Sequence, residues 1–583
     1  YKRNEVQQVK RYWKYIRPYI QYYILGPCFM MMEVVGDVLL PYMLAKIINQ
    51  GIAERNVAYI IKIGAIMGLI AVIMAVGGVL GAWFASKAAM NFGADLRMDL
   101  FEKIQQFSFQ NIDNFSTGSL ITRLTNDITQ IQNMIMMTLR MCLRSPGILI
   151  GAMVMAFVIS PKMAAIFIIV LPVLAVLIVV IMRRAFPQFR TLQEKLDALN
   201  SCIQEGLVGI RLIKSFVRGD YEEMRFEKRN QQLKEANLTA MKTMLLYTPL
   251  MTLALNITTV VVVWSGGNMI VAGNMQVGDL TAFTNYIVQI MSSLTMLSIA
   301  FLNWARAIAS FRRVGEVLNE KIDLTDENAK HKDRAVCEGS VEFQNVSFRY
   351  YKNSPEWVIE NISFKLEAGK TLGIIGSTGS GKSTLVSMIP RLYDTDEGTV
   401  LVDGINVRDY GLKPLREGIG MVLQNNTLFS GSITENLKWG DEHADEKAVR
   451  KAAQNAQAAG FIDSFKDGYR TRLEQSGNNV SGGQKQRLCI ARALLKCPKI
   501  LILDDSTSAV DTATERAIRE ALHSEYKDMT KIIIAQRIRS VMDADEILVL
   551  DNGKTAGFGT HEQLLADCPV YREIYDVQNG REE

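Results

Sequence analysis

Residues 372–384 read LGIIGSTGSGKST, an apolar run passing into a glycine-rich turn that ends in Lys382, Ser383 and Thr384. The spacing G-x-x-x-x-G-K-S runs from Gly376 through Ser377, Thr378, Gly379, Ser380 and Gly381 to Ser383. At a strand-to-helix turn such glycines let backbone N–H groups close around phosphate oxygens. The helix that follows adds its positive N-terminal end. Lys382 then reaches the outer phosphates and the Ser383 hydroxyl suits Mg²⁺, so the stretch predicts a nucleoside triphosphate site. A chance glycine turn is the bland alternative. The context argues against it, because a β-rich segment precedes the turn and a helical pattern follows.

Two more stretches carry chemistry. ILILDD at 500–505 is an apolar run ending in acids, which presents Asp504 at the end of a strand beside the phosphate loop, where it can hold Mg²⁺ through water. VSGGQ at 480–484 opens the helical run QRLCIARALL, so its N–H groups can face an anion. The elements that must position these loops are legible around them. VEFQNVSFRY and GTVLVDG alternate as antiparallel strands do, while TLGIIG, ILILDD, KIIIA and EILVLD are short apolar runs suited to a buried, mainly parallel sheet. Residues 432–495 are mostly helical in pattern and form an inserted lobe.

The rest of the chain is different in kind. At 583 residues it is too long for one core. A hydrophobic fraction of 49% with 21% charged residues is apolar for a soluble protein, and nearly all the long charge-free runs fall before residue 306. Net charge is only +5, which gives no reason to expect a nucleic-acid partner. Seven cysteines without C-x-x-C spacing read as reduced thiols, with neither a zinc site nor a disulfide framework. The four histidines are isolated and read as surface residues.

Apolar stretches at 18–45, 63–86, 145–159 with a lead-in from 134, 163–182, 243–278 and 280–305 predict six membrane spans, the third interrupted by Arg140 and Arg144. The long connections 87–133 and 183–242 carry sixteen Lys and Arg against four in the short ones. This bias puts the N-terminus, the long connections and everything after the sixth span in the cytoplasm. The basic, aromatic residues 1–17 form an elbow on the inner membrane face, 18–320 the helical transmembrane domain, 321–339 a charged linker, and 340–583 the nucleotide-binding domain. Glu33 and Asp37 share a helical face at membrane depth, either toward a cationic substrate or gate, or paired with bases. The fold class expected is therefore multi-domain: an all-α six-helix membrane domain followed by an α/β P-loop NTPase domain.

Together, in this order and spacing, the three motifs resemble the ATP-binding cassette family, over essentially the whole chain. The chain looks like a half-transporter of the type IV exporter group, with two chains making one transporter in the lipid bilayer. The resemblance implies that Tyr350 in VSFRY stacks on adenine and that Gly376 to Thr384 is the Walker A loop. It makes Gln424 in VLQNN the Q-loop residue that senses Mg²⁺, and Asp504 the Walker B acid. Ser481, Gly482, Gly483 and Gln484 become the signature, and Ser508 to Asp511 the D-loop. Two ATP molecules are sandwiched between two chains, each on one chain's Walker A and the other's signature. Coupling helices are expected near 112–119 and 211–220.

Two positions depart from that pattern. The catalytic Glu after Walker B is Asp505 here, one methylene shorter, and a misplacement of about 1 Å can cost ~10²-fold in rate. The switch His is Gln536, which hydrogen-bonds a phosphate but neither carries a charge nor shuttles a proton. Both changes weaken one reaction at one site, so the expectation is a heterodimer. In it this chain keeps an impaired ATP site and lends its intact signature to a different half-transporter. Neutral drift in a slow homodimer is the competing reading. The expected activity is ATP-driven export of amphipathic or hydrophobic compounds across a plasma membrane, with Mg²⁺ as cofactor. A lipid or lipopeptide flippase and an ATP-gated channel are the alternatives.

Overall fold

The computed structural model describes residues 11–352, 354–506 and 510–579, without the side chains of 247, 298–299, 301–303, 305–306 and 579. It divides into two compact units, residues 1–105 with 117–320, and residues 106–116 with 321–583.

The first unit is helical. Helix α1 (Ile20–Lys46) and α2 (Val57–Gln105) open it, and the short α3 (Phe109–Asp113) belongs to the second unit. Then come α4 (Thr117–Thr122), α5 (Ile128–Met141), α6 (Arg144–Ile159), α7 (Pro161–Val208), α8 (Ile210–Ser215), α9 (Gly219–Leu245), α10 (Tyr247–Val271) and α11 (Val277–Asn319). At 49 residues α2 is about 70 Å long, against a bilayer core of ~30 Å, so much of it is polar extension. Along α2, Ile61, Leu69, Val72, Val76 and Val79 stay exposed in one stripe, as a lipid-facing surface requires. Its other face carries Gly77, Gly81, Ala85, Ala88 and Ala89, all buried. Small residues let α1 approach closely: a Cβ on Gly81 would lie 2.5 Å from Met30 Cε. Across the unit Phe167 stacks on Phe283, and the buried Tyr286 donates to Val38 O at 2.9 Å.

Five helical stretches among the described residues are long and apolar enough to span: 11–52, 57–105, 117–159, 161–208 and 219–271. The sixth expected span falls in α11, which carries most of the undescribed side chains, Asn303 among them. The expected run 243–278 is too long by its outer turn. The chain leaves the helix after Val271, Gly273 takes a left-handed φ of +75°, and a Gln276–Asp279 capping box starts α11. Hydropathy does not see that turn because its residues are small and uncharged. The interruption in the third span is a break between α5 and α6 at Cys142–Leu143.

Glu33 and Asp37 are paired. Arg144 Nη2 lies 2.9 Å from Glu33 Oε1 and 3.3 Å from Asp37 Oδ2.

In the second unit β1 (Val341–Phe348), β2 (Ile359–Leu366), β3 (Thr371–Gly376), α12 (Lys382–Ser387), β4 (Glu397–Val402) and β5 (Ile405–Asn406) come first. Next are α13 (Leu412–Glu417), β6 (Ile419–Val422), β7 (Gly431–Ser432), α14 (Ile433–Leu437), α15 (Glu446–Asn455), α16 (Ala459–Ser464), β8 (Arg472–Leu473) and α17 (Gly482–Leu495). The chain then runs through β9 (Ile500–Asp504), α18 (Thr512–Glu525), β10 (Thr530–Ile534), β11 (Glu546–Asp551), β12 (Lys554–Gly559), α19 (His561–Asp567) and α20 (Pro569–Asn579).

One sheet is antiparallel in the order β2-β1-β4-β5, the second has the order β12-β11-β3-β10-β9-β6, and β7 with β8 form a two-stranded antiparallel pair. The central strands of the second pair in parallel and are buried on both faces, hence their unbroken Ile, Leu and Val. Strand β6, IGMV, is short and half glycine and methionine, which hid it in the sequence. His561 is half-buried against the Tyr571 hydroxyl at 2.7 Å, so it is not the surface residue expected.

Candidate nucleotide site

Strand order places the chemistry. β3, β10, β9 and β6 are consecutive neighbours, so the loops leaving their C-terminal ends stand side by side. They carry the glycine loop, Gln536, Asp504 with Asp505, and Gln424. Register pairs Ile534 with Asp504 and Val422 with Leu503, which holds Gln536 and Gln424 on either side of the two acids.

The loop after β3 needs its glycines. Gly379 and Gly381 take φ of +85° and +89°, and a Cβ on Gly381 would meet Ile359 Cγ2 at 2.6 Å and Val358 O at 2.9 Å. Lys382 folds onto this loop, donating to Gly376 O at 2.9 Å and Ser377 O at 2.7 Å. Burial pushes its ammonium pKa down, against the pull of Asp505 and Asp504. Ser383 Oγ donates to Asp504 Oδ1 at 2.9 Å. Burial raises the Asp504 carboxyl, Ser383 opposes this, and the charge of Asp505 adds to it.

Asp505 sits at φ +47°, a left-handed conformation that a short acid tolerates. Its N–H donates to Ile534 O at 3.1 Å. Gln536 Nε2 donates to its Oδ2 at 2.7 Å, and the Gln424 side chain bonds the same carboxylate. Burial lifts the Asp505 carboxyl, while these amides and Lys382 pull it back. Gln536 is held from behind by α20. Gln578 Nε2 donates to Gln536 O and its Oε1 accepts from Ile538 N–H, both at 2.8 Å.

Tyr350 closes one side. Its hydroxyl is 2.9 Å from Thr384 Oγ1, and its ring meets Phe348 and Tyr393 edge-on, leaving it 37% exposed. Tyr350, Thr378 to Thr384, Gln424, Asp504, Asp505 and Gln536 line one cavity of about 330 Å³, with Val358 and Ile534 as apolar walls the sequence did not flag. The set fits a magnesium nucleotide: a loop whose N–H groups are free of Cβ bulk, one half-buried cation, and a hydroxyl beside a carboxylate as hard oxygen donors.

The other expected residues lie elsewhere. Ser481 is the N-cap of α17, in a reciprocal capping box with Gln484 at 3.3 and 2.9 Å. Neither they nor Gly482 and Gly483 line the cavity. Asp511 caps α18, accepting from Thr514 N–H at 3.0 Å, and those N–H bonds lower its carboxyl pKa. Ser508 lies outside the described residues. Two residues of the network had no sequence signal: Gln578, which is one of several polar residues on a terminal helix, and Tyr393, whose neighbours come from two separate segments, 109–113 and 348–350.

Comparison with known proteins agrees with this geometry. Residues 23–294 match the ABC transporter transmembrane region and residues 359–508 the ABC transporter domain. An uncharacterized ABC transporter ATP-binding protein of Bacillus subtilis, YfiB, is 39% identical over 97% of this chain and 98% of its own length. A second Bacillus subtilis protein, YgaD, is 33% identical over 98% of this chain and 99% of its own. Its name is a provisional assignment as a multidrug export ATP-binding/permease protein. A bacterial Atm1-family ABC exporter solved with ATP bound superposes with a TM-score of 0.80 at 24% identity, covering 97% and 98% of the two chains. The chain thus belongs to the ABC transporter family, with a helical transmembrane region followed by an ABC ATP-binding domain in an exporter fold.

Proposed function

We propose that this chain is the ATP-holding, weakly hydrolysing half of a heterodimeric exporter of amphipathic or hydrophobic compounds in a plasma membrane. The carrying observation is the 2.7 Å bond from the Gln536 amide to the Asp505 carboxylate. A carboxylate that polarises water needs a lone pair directed at it, and here amides on both sides occupy the shortened side chain. Glutamine returns no proton.

In this reading Tyr350 stacks on adenine, Gly376 to Thr384 hold the phosphates, and Ser383, Gln424 and Asp504 hold Mg²⁺. The metal supplies neutralisation of phosphate charge when bound. Ser481 to Gln484, exposed or half-exposed and outside the lining of this cavity, complete the partner's site. Support for the substrate class comes from spans of Met, Leu, Phe and a few amides, whose methionines adapt to many shapes, and from the name YgaD carries.

The test is hydrolysis by the purified chain alone. Turnover near background, unchanged in Asp505→Asn, is the expected result. Asp505→Glu combined with Gln536→His is expected to raise it by up to ~10²-fold. Robust turnover by the unaltered chain that Asp505→Asn abolishes would overturn the reading in favour of a homodimer.

A further inference from the structure

Behind the switch loop lies a second cavity of about 570 Å³, enclosed by α18, β10 and residues 539–544. Five of its lining side chains are basic: Arg516, Arg519, His523, Lys531 and Arg539. Against them stand only Glu520 and Asp543, and Asp543 is already engaged, 3.2 Å from Arg519 Nη1. Arg516, Arg519, Glu520 and His523 recur at helical spacing on one face of α18.

Two of the cations are incompletely satisfied. Lys531 is 5% exposed on a strand of the central sheet, yet no hydrogen bond or ion pair joins its Nζ to another described residue. The acids nearest it in charge are Asp545 and Asp528, and Asp545 Oδ2 already accepts from Thr371 N–H at 2.7 Å. Arg519 Nη1 is spent on Arg539 O at 2.8 Å, while its Nε is shielded from water without a partner. Withdrawing most of Lys531 from bulk water and leaving a guanidinium N–H of Arg519 shielded without a partner is unfavourable unless an anion compensates them. The remaining lining includes Leu522, Ile533 and Met542, which suits a ligand with an organic portion.

We infer that this cavity is a second anion site, built for a phosphorylated small molecule and separate from the nucleotide cavity. It needs neither the heterodimer nor the impaired site. Its location gives it a consequence, since α18 starts directly after Asp511 and Arg539 and Ser540 follow Gln536, so an occupant bridges two segments that flank the nucleotide loops.

Pyrophosphate titrated calorimetrically into the full-length Lys382→Ala chain, without Mg²⁺, tests it. Lys382→Ala removes the cation of the first site, so binding that persists reports the second. That binding is expected to weaken at least 10-fold in Lys382→Ala with Lys531→Met, and also with Arg516→Gln. Lys531→Met exchanges a buried cation for an apolar side chain of similar length and is expected to keep or raise Tm. Arg516 is exposed, so its replacement leaves the fold intact. Absence of binding in Lys382→Ala, or binding that neither second substitution alters, would overturn the inference.

Discussion

Asp504 and Asp505 are neighbours in the chain and in charge, and each is held above the ordinary carboxylate range chiefly by burial. A carboxyl raised on folding contributes stability that is present below its unfolded pKa of ~3.9 and is lost as pH rises through its folded value. Toward neutral pH the pair therefore works against the nucleotide-free fold. Asp504→Asn is expected to raise Tm by about 2–4 °C at pH 7, a gain that shrinks toward pH 4, while Mg²⁺-dependent ATP affinity falls. Thermal unfolding followed across pH checks the sign: a lower Tm for Asp504→Asn at pH 7 refutes it.

Among the elements, α3 is the least expected. Its residues belong to the connection between two membrane helices, yet they pack in the nucleotide-binding unit. The resemblance put a coupling helix near 112–119, a range that overlaps the end of α3 (Phe109–Asp113), started by a Ser108 capping box, and the start of α4 (Thr117–Thr122). The docking point of α3 is Tyr393, whose hydroxyl donates to Asp113 Oδ2 at 2.8 Å and whose ring meets Phe109 at 6.0 Å. Tyr393 also touches Tyr350, and Tyr350 touches Thr384 of the phosphate loop, which makes a short contact chain from α3 to the nucleotide cavity. A double-mutant cycle between Tyr393→Phe and Asp113→Asn, read by thermal unfolding, is expected to show a coupling of about 1 kcal/mol. Strict additivity would mean that the bond carries nothing. The second expected coupling segment, 211–220, contains α8 and the turn after it. There Leu212, Phe216 and Val217 remain exposed.

At the scale of the whole molecule, charge placement separates the halves. Within the helical unit a 2:1 cluster of acids to base, Glu33 and Asp37 on Arg144, sits inside predicted spans and is only partly shielded, with side-chain exposures of 21%, 26% and 39%. Removing the base alone leaves two carboxylates facing each other at membrane depth. Arg144→Met is therefore expected to lower Tm, and adding Glu33→Gln with Asp37→Asn to recover most of the loss. If the triple variant is no more stable than Arg144→Met, the pairing contributes nothing. Retained transport of every tested cation in Glu33→Gln with Asp37→Asn would remove the substrate role for these acids.

From sequence alone came the division into an apolar helical half and an α/β half, the glycine loop with Lys382 and Ser383, the acids after β9, and the two departures Asp505 and Gln536. These are local patterns, written in residues next to one another, and hydropathy or spacing suffices to read them. What only the tertiary structure decided is which distant residues meet. Neighbouring strand ends bring Gln536 and Gln424 onto one carboxylate, α20 reaches back with Gln578 to brace the backbone at Gln536 and Ile538, α3 docks on Tyr393, and Arg144 answers the acids of α1. Each of those contacts joins segments far apart in the chain, and their side chains follow no period that a linear reading could detect.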